Sequence, residues 1–139
     1  MSSREFDCIV IGTGPAGEGA AMKLAKSGQR VAVIEAHSSV GGGCTHWGTI
    51  PSKALRQSIQ SLADYRRNPL FQRIRSQLEV EFPDLVKAAD GVINEQVRTR
   101  YRYYQRNRVK VVFGHARFIA PDRIEVRRPD GVSEELGAR

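Results

Sequence analysis

The feature that most restricts the fold of this chain is a glycine triplet, Gly12, Gly14 and Gly17, lying between two segments of opposite habit. Ahead of it, Phe6 to Ile11 carries Cys-Ile-Val-Ile, a short apolar run rich in β-branched residues, which predicts a buried strand. Behind it, Ala16 to Ser27 is built from good helix formers, and Gly28 follows where a left-handed residue would end a helix. Arg30 to Glu35 adds a second apolar strand, Val-Ala-Val-Ile. The opening is therefore expected to be a βαβ unit with parallel strands and a right-handed crossover.

Each glycine has a separate physical reason. Gly12 permits a tight turn out of the strand, Gly14 removes the Cβ that would keep a pyrophosphate away, and Gly17 lets helix and strand approach closely. Phosphates would then meet the helix N-terminus, where unpaired N–H groups and the helix dipole favour an anion. Glu35 ends the second strand, where it would accept hydrogen bonds from ribose hydroxyls and repel a 2′-phosphate. FAD or NAD fits such a site, and NADP fits it poorly.

Further along, Ser38 to Gly43 reads as a loop, and Ser52 to Tyr65 as a helix with Leu55, Ile59 and Leu62 on one face. Asn68 to Phe82 has no sustained period and reads as irregular or partly helical. From Asp84 to about Asn107 the residues Leu85, Ala89, Ile93, Val97 and Tyr104 mark a long amphipathic helix with arginines on its wet side. Strand-like segments follow at Val109 to Phe113, Ala116 to Ile119, Arg123 to Arg127 and Val132 to Leu136, with a turn at Pro129-Asp130-Gly131, and read as a β-meander. The expected fold is α/β: residues 1–139 form the N-terminal portion of one incomplete, Rossmann-like domain with a parallel sheet, amphipathic helices and a C-terminal meander.

Composition narrows the class. The chain has no apolar run near the roughly 18 residues that a membrane span needs and no secretory leader, so a cytoplasmic protein with no membrane partner is expected. Cys8 and Cys44 are too few for a disulfide scaffold, and no His or Cys spacing suggests a metal. Cys8 is expected in the core, with His37 solvated and His46 and His115 in packing or surface roles. The net charge is +7: residues 1–53 hold five basic and four acidic residues, residues 54–139 seventeen and eleven. Tyr101, Tyr103 and Tyr104 among arginines could in principle stack single-stranded nucleic acid, but the arginine spacing suits a solvated helix face, and no nucleic-acid partner is expected.

The stretch Gly41-Gly42-Gly43-Cys44-Thr45-His46-Trp47-Gly48-Thr49-Ile50-Pro51-Ser52-Lys53 resembles the flavoprotein disulfide reductases of the pyridine nucleotide-disulfide oxidoreductase family. In that family the segment reads GGxCxxxGCxPSK, and its two cysteines form a redox disulfide beside the flavin. Here Thr49 stands where the second cysteine belongs, so dithiol exchange lacks its resolving sulfur. The match extends over nearly the whole chain and is strongest to a transhydrogenase branch that shares this loss.

The resemblance implies FAD as cofactor. By it, Gly12, Gly14, Pro15, Ala16 and Gly17 would hold the pyrophosphate, with Glu35 and Ala36 at the ribose. Gly42, Gly43 and Cys44 would lie along the cofactor, and Ala116 near the adenine. Lys53 would place a fixed positive charge beside the reactive ring. Lys53 and Cys44 are the candidate catalytic residues, although Cys44 without a partner sulfur could simply pack against the flavin. The implied reaction is FAD-mediated hydride transfer from NADPH to NAD in a longer, homo-oligomeric protein. The family's nicotinamide-binding and dimerisation domains have no counterpart in residues 1–139, and the chain alone is expected to be inactive. A dihydrolipoamide-dehydrogenase-like oxidoreductase and a non-catalytic nucleotide-binding module are the alternatives.

Overall fold

A computed structural model describes residues 5–72, 74 and 79–139. The opening is the expected unit: strand β1 (Cys8–Ile11), helix α1 (Pro15–Lys26) and strand β2 (Val31–Glu35), with β1 and β2 parallel. A short helix α2 (Gly42–His46) and a long helix α3 (Thr49–Arg67) follow, then a 3-10 turn at Pro69–Phe71 and helix α4 (Phe82–Arg106). Strand β3 (Lys110–Phe113) returns to the first sheet beside β2, giving the parallel order β1-β2-β3. Strands β4 (His115–Ala120), β5 (Arg123–Arg127) and β6 (Ser133–Gly137) form a separate antiparallel sheet.

Burial follows position in the sheet. β2 is central, and all five of its residues are buried. β1 is an edge strand and only partly buried, so Cys8 is half-buried and not the core residue that its apolar neighbours predict. One core cluster, with Ala32, Ile34, Val112, Ile124, Val126 and Leu136, joins the parallel sheet to the meander. The other, on the opposite face, gathers Ala21, Val31, Val33, Val40, Tyr104 and Val109 and seats α1 and the end of α4. Alternate residues of β2 thus feed opposite faces, as the period of a strand demands.

The meander begins at His115, not Val109. Gly114 makes the switch between sheets: its φ is +155°, and a Cβ there would lie 2.6 Å from the Arg127 carbonyl oxygen. A side chain at this position would push β5 away from the β3–β4 junction. The stretch from Asn68 to Phe82 is partly helical, as expected, where it is described; residues 73 and 75–78 lie outside the described residues. α4 starts two residues before Asp84 because Glu81 and Asp84 form a capping box across Pro83, which suits a helix start. The arginines are not all on a wet face. Arg102 pairs with exposed Glu95 on its own helix, whereas Arg100 is mostly buried and pairs with Glu18, tying α4 to α1.

Candidate functional site

The glycine turn is shaped by collisions it avoids. Gly12 has φ +97°, a conformation that favours glycine. A Cβ on Gly17 would lie 2.0 Å from the Gly12 carbonyl oxygen, so the first turn of α1 touches the strand's exit with no room for a methyl group. Gly14 is different. The nearest atom to its imagined Cβ is the Gly42 Cα at 4.0 Å, so a side chain there would project into open space above the turn. That is the space a bound phosphate would need.

Gly42, with φ +63°, closes the same corner from the other side: a Cβ on it would come within 2.6 Å of the Gly14 Cα. Two backbone segments therefore meet at glycine against glycine. α1 opens at this corner with Pro15 in its first turn and no side-chain cap on Gly14, which leaves first-turn N–H groups available to an anion. Pro15 and Ala16 are exposed, Gly43 is exposed on α2, and the cradle fits a pyrophosphate.

Glu35, at the end of β2, is buried and held in place. Its Oε2 accepts hydrogen bonds from the Thr13 N–H at 3.1 Å and from the Thr13 hydroxyl, and its Oε1 accepts from the His37 N–H at 2.8 Å. Ala36 is exposed beside it. The Gly114 N–H donates to the Glu35 carbonyl at 2.8 Å, which brings the β3–β4 junction, and Ala116 two residues later, to this end of the site. Ala116 is half-buried against the core that joins the sheets.

At the other end, Cys44 is exposed on α2, and its Sγ lies 3.6 Å from the Thr49 Oγ1 at the start of α3. The geometry sets Thr49 against Cys44 as a second sulfur would be. Lys53, four residues on, occupies the same helix face as Thr49 and is exposed beside a shallow depression formed with Ile50, Ala54, Gln57 and Val92. Glu35, the paired glycines, the Cys44–Thr49 contact and Lys53 thus form a series from the end of β2 to the first turns of α3.

Three features escaped sequence reasoning. Thr13, the residue between the first two glycines, is fully buried. α2 is invisible to helix propensity because it opens on Gly42 and Gly43. His37, His46 and Trp47 also cluster, with ring centroids 4.6 to 5.5 Å apart, so His37 is not simply solvated. The aromatic stacking alternative loses its third tyrosine, since Tyr104 is fully buried with no hydrogen-bond partner for its hydroxyl among the described residues. No described helix is long and apolar enough to cross a membrane.

Comparison with known proteins bears on the same residues. The chain is 52% identical over 134 residues to a soluble pyridine nucleotide transhydrogenase of Serratia proteamaculans and 50% identical over 137 residues to that of Colwellia psychrerythraea. These alignments cover 96% and 99% of this chain but 29% of either relative, so the chain spans about three-tenths of their length. Among solved structures, the Cu(II) complex of the HOCl-induced flavoprotein disulfide reductase RclA from Escherichia coli superposes with a TM-score of 0.77 at 27% identity, covering 96% of this chain and 27% of that one. The profile of the pyridine nucleotide-disulphide oxidoreductases matches residues 6–136, with the glycine turn near one end and the meander at the other, and the chain belongs to that family.

Proposed function

We propose that this chain is the N-terminal portion of an FAD-binding domain and that, within a longer protein, it supplies the flavin site for hydride transfer from NADPH to NAD. The observation that carries this reading is the contact of Thr49 with Cys44 at 3.6 Å. A disulfide reductase needs a sulfur at each of these two places, and here a hydroxyl occupies one of them. The site keeps the architecture for a flavin and lacks the dithiol that would pass electrons onward. This argues against the dihydrolipoamide-dehydrogenase-like alternative and agrees with the names of the relatives. FAD, when bound, supplies the two-electron chemistry by taking a hydride and giving it up.

The chain's own residues would bind and orient. The first-turn amides of α1 and the Gly14–Gly42 corner would hold the pyrophosphate, and Glu35 would accept from the adenosine ribose with Ala36 and Ala116 alongside. Gly43 and Cys44 would line the path to the ring. Lys53, an exposed ammonium on the face of α3 that also carries Thr49, would set positive charge where the ring gains electron density. Cys44 would pack there as a thiol. The nicotinamide substrates, a homo-oligomeric assembly and a cytoplasmic location belong to the same reading of the longer protein.

The test is visible absorption of the purified chain after incubation with FAD and removal of free cofactor, beside Gly14→Val. Nothing in the chain opposes a Cβ at position 14, so this variant should fold and lose bound flavin. Bound flavin in the parent and not in the variant is the expected result. No bound flavin either in this chain or in one of the relatives' length, or equal amounts in parent and variant, would overturn the assignment. In a chain of the relatives' length, NADPH-dependent reduction of NAD that survives Cys44→Ser is expected.

A further inference from the structure

We propose that Thr13 is a positioning residue for the dinucleotide site, fixing both the Glu35 carboxylate and the Gly41 peptide through one hydroxyl; this rests on the FAD reading above. In a Gly-x-Gly turn the middle residue is usually taken as free to vary. Here it is completely buried, and a buried hydroxyl must find partners or destabilise the fold. Thr13 Oγ1 donates to Glu35 Oε2 and accepts from the Gly41 N–H at 2.9 Å. The Gly41 carbonyl in turn accepts from Thr45 Oγ1 at 2.9 Å, and Thr45 is also fully buried.

The result is a continuous chain from Glu35 through Thr13, Gly41 and Thr45 into α2, where Cys44 is the neighbouring residue. It joins the glycine turn to the end of β2 and to the entry to α2, which lie 22 and 28 residues further along the chain. A carboxylate offers about four acceptor positions, and Glu35 already takes three donors from its own chain, so its orientation is set before a ribose hydroxyl arrives. Such preorganisation raises affinity by removing an ordering cost at the moment of binding. Gly41 must keep its place for a second reason. A Cβ there would strike the Thr45 side chain at 2.7 Å, and the next residue, Gly42, must reach Gly14.

Removing the hydroxyl while keeping the shape, as Thr13→Val does, takes a donor from Glu35 and orphans the buried Gly41 N–H. Amide exchange at Gly41 and the FAD dissociation constant, followed by flavin fluorescence, should each rise about tenfold or more, as for a lost bond to a charged group. Thr13→Ser should restore both. In a Glu35→Gln background, Thr13→Val should weaken FAD binding far less than it does alone, a non-additivity that general loosening of the fold would not produce. Unchanged Gly41 exchange and unchanged affinity in Thr13→Val, with the parent holding FAD, would overturn the role of Thr13 and leave the flavin site standing. Failure to take up FAD both by the parent and by a chain of the relatives' length would overturn the flavin reading and this role with it, whatever Gly41 does. Should Thr13→Val fail to fold, the parent decides: a slowly exchanging Thr13 hydroxyl proton is expected, and a rapidly exchanging one would overturn the network.

Discussion

The glycine corner and the α3–α4 helix pair are held in place by different means. At the corner, Gly12, Gly14, Gly17 and Gly42 set backbone against backbone, and a methyl group on Gly17 or Gly42 has nowhere to go. In the helix pair the apolar stripes guide the packing, yet only Ala54 of α3 and Ala89 and Tyr104 of α4 are buried. Ile59 remains 46% exposed, Val92 45% and Phe82 63%. Sterically determined geometry tolerates almost no change. Geometry determined by apolar patterning tolerates much, because exposed positions cost little when altered.

The largest expected effect comes from breaking the corner. Gly17→Val forces a side chain into the Gly12 carbonyl, and we expect a loss of about 3 kcal/mol or more in denaturant unfolding, with loss of flavin binding. The matching change on the helix pair, Ile59→Ala, should alter stability by about 1 kcal/mol at most, and equal effects from the two would abolish the contrast.

Next is the Cys44–Thr49 contact, where corner and helix pair meet. Thr49→Cys should let a disulfide form on oxidation, both thiols vanishing from a thiol titration and returning on reduction. Thiols that persist under oxidant would mean that α2 and α3 are not set as described.

A smaller effect is expected where the end of α4 leaves the helix pair and enters the core it shares with α1 and β2, at Tyr104. Burial, reinforced by the charge of Glu18, pushes its phenol up to about 12 from an ordinary value near 10. Because the folded value is the higher one, the unfolded chain loses its proton first, and stability should fall as pH rises from about 10 to about 12. Tyr104→Phe should remove that component of the alkaline loss and cost little at neutral pH, since the hydroxyl it deletes has no hydrogen-bond partner among the described residues. Denaturant midpoints measured across that pH range check both statements.

The smallest lies at the end of α4. Arg108 has φ +55°, the left-handed conformation after a helix, and its side chain is exposed. Arg108→Gly should raise stability by about 1 kcal/mol or less, read as a small rise in Tm. A fall would show that Arg108 makes a contact worth more than the strain.

How much of this could be read in advance depended on the kind of information. β2, α1 and the body of α4 were legible because strand and helix periods repeat over many residues, as in Leu85, Ala89, Ile93 and Val97. Cys8 misled because periodicity reports apolar character and not whether a strand is central or at an edge. α2 was illegible because glycines disfavour helix locally, and its start is held by a side-chain bond from Thr45 to Gly41 and by the packing of Gly42 on Gly14, a contact between segments. As candidate site residues, the glycines, Glu35, Cys44 and Lys53 came from spacing and resemblance, while the burial of Thr13, and outside the site the Arg100–Glu18 pair between α4 and α1, left no such signal.

The sequence by itself determined the βαβ opening, the positions where only glycine would serve, and the absence of a second sulfur at Thr49. These follow from local sterics and from the identity of single residues. Only the tertiary structure decided that β3 joins the parallel sheet while β4 starts another, that Thr13 binds Glu35 to Gly41, and that Cys44 faces Thr49. The sheet order and the Thr13 bonds depend on which distant segments meet, and a buried hydrogen bond between residues far apart in the chain leaves no period or composition by which it could be read; the Cys44–Thr49 contact depends on how the chain turns between α2 and α3.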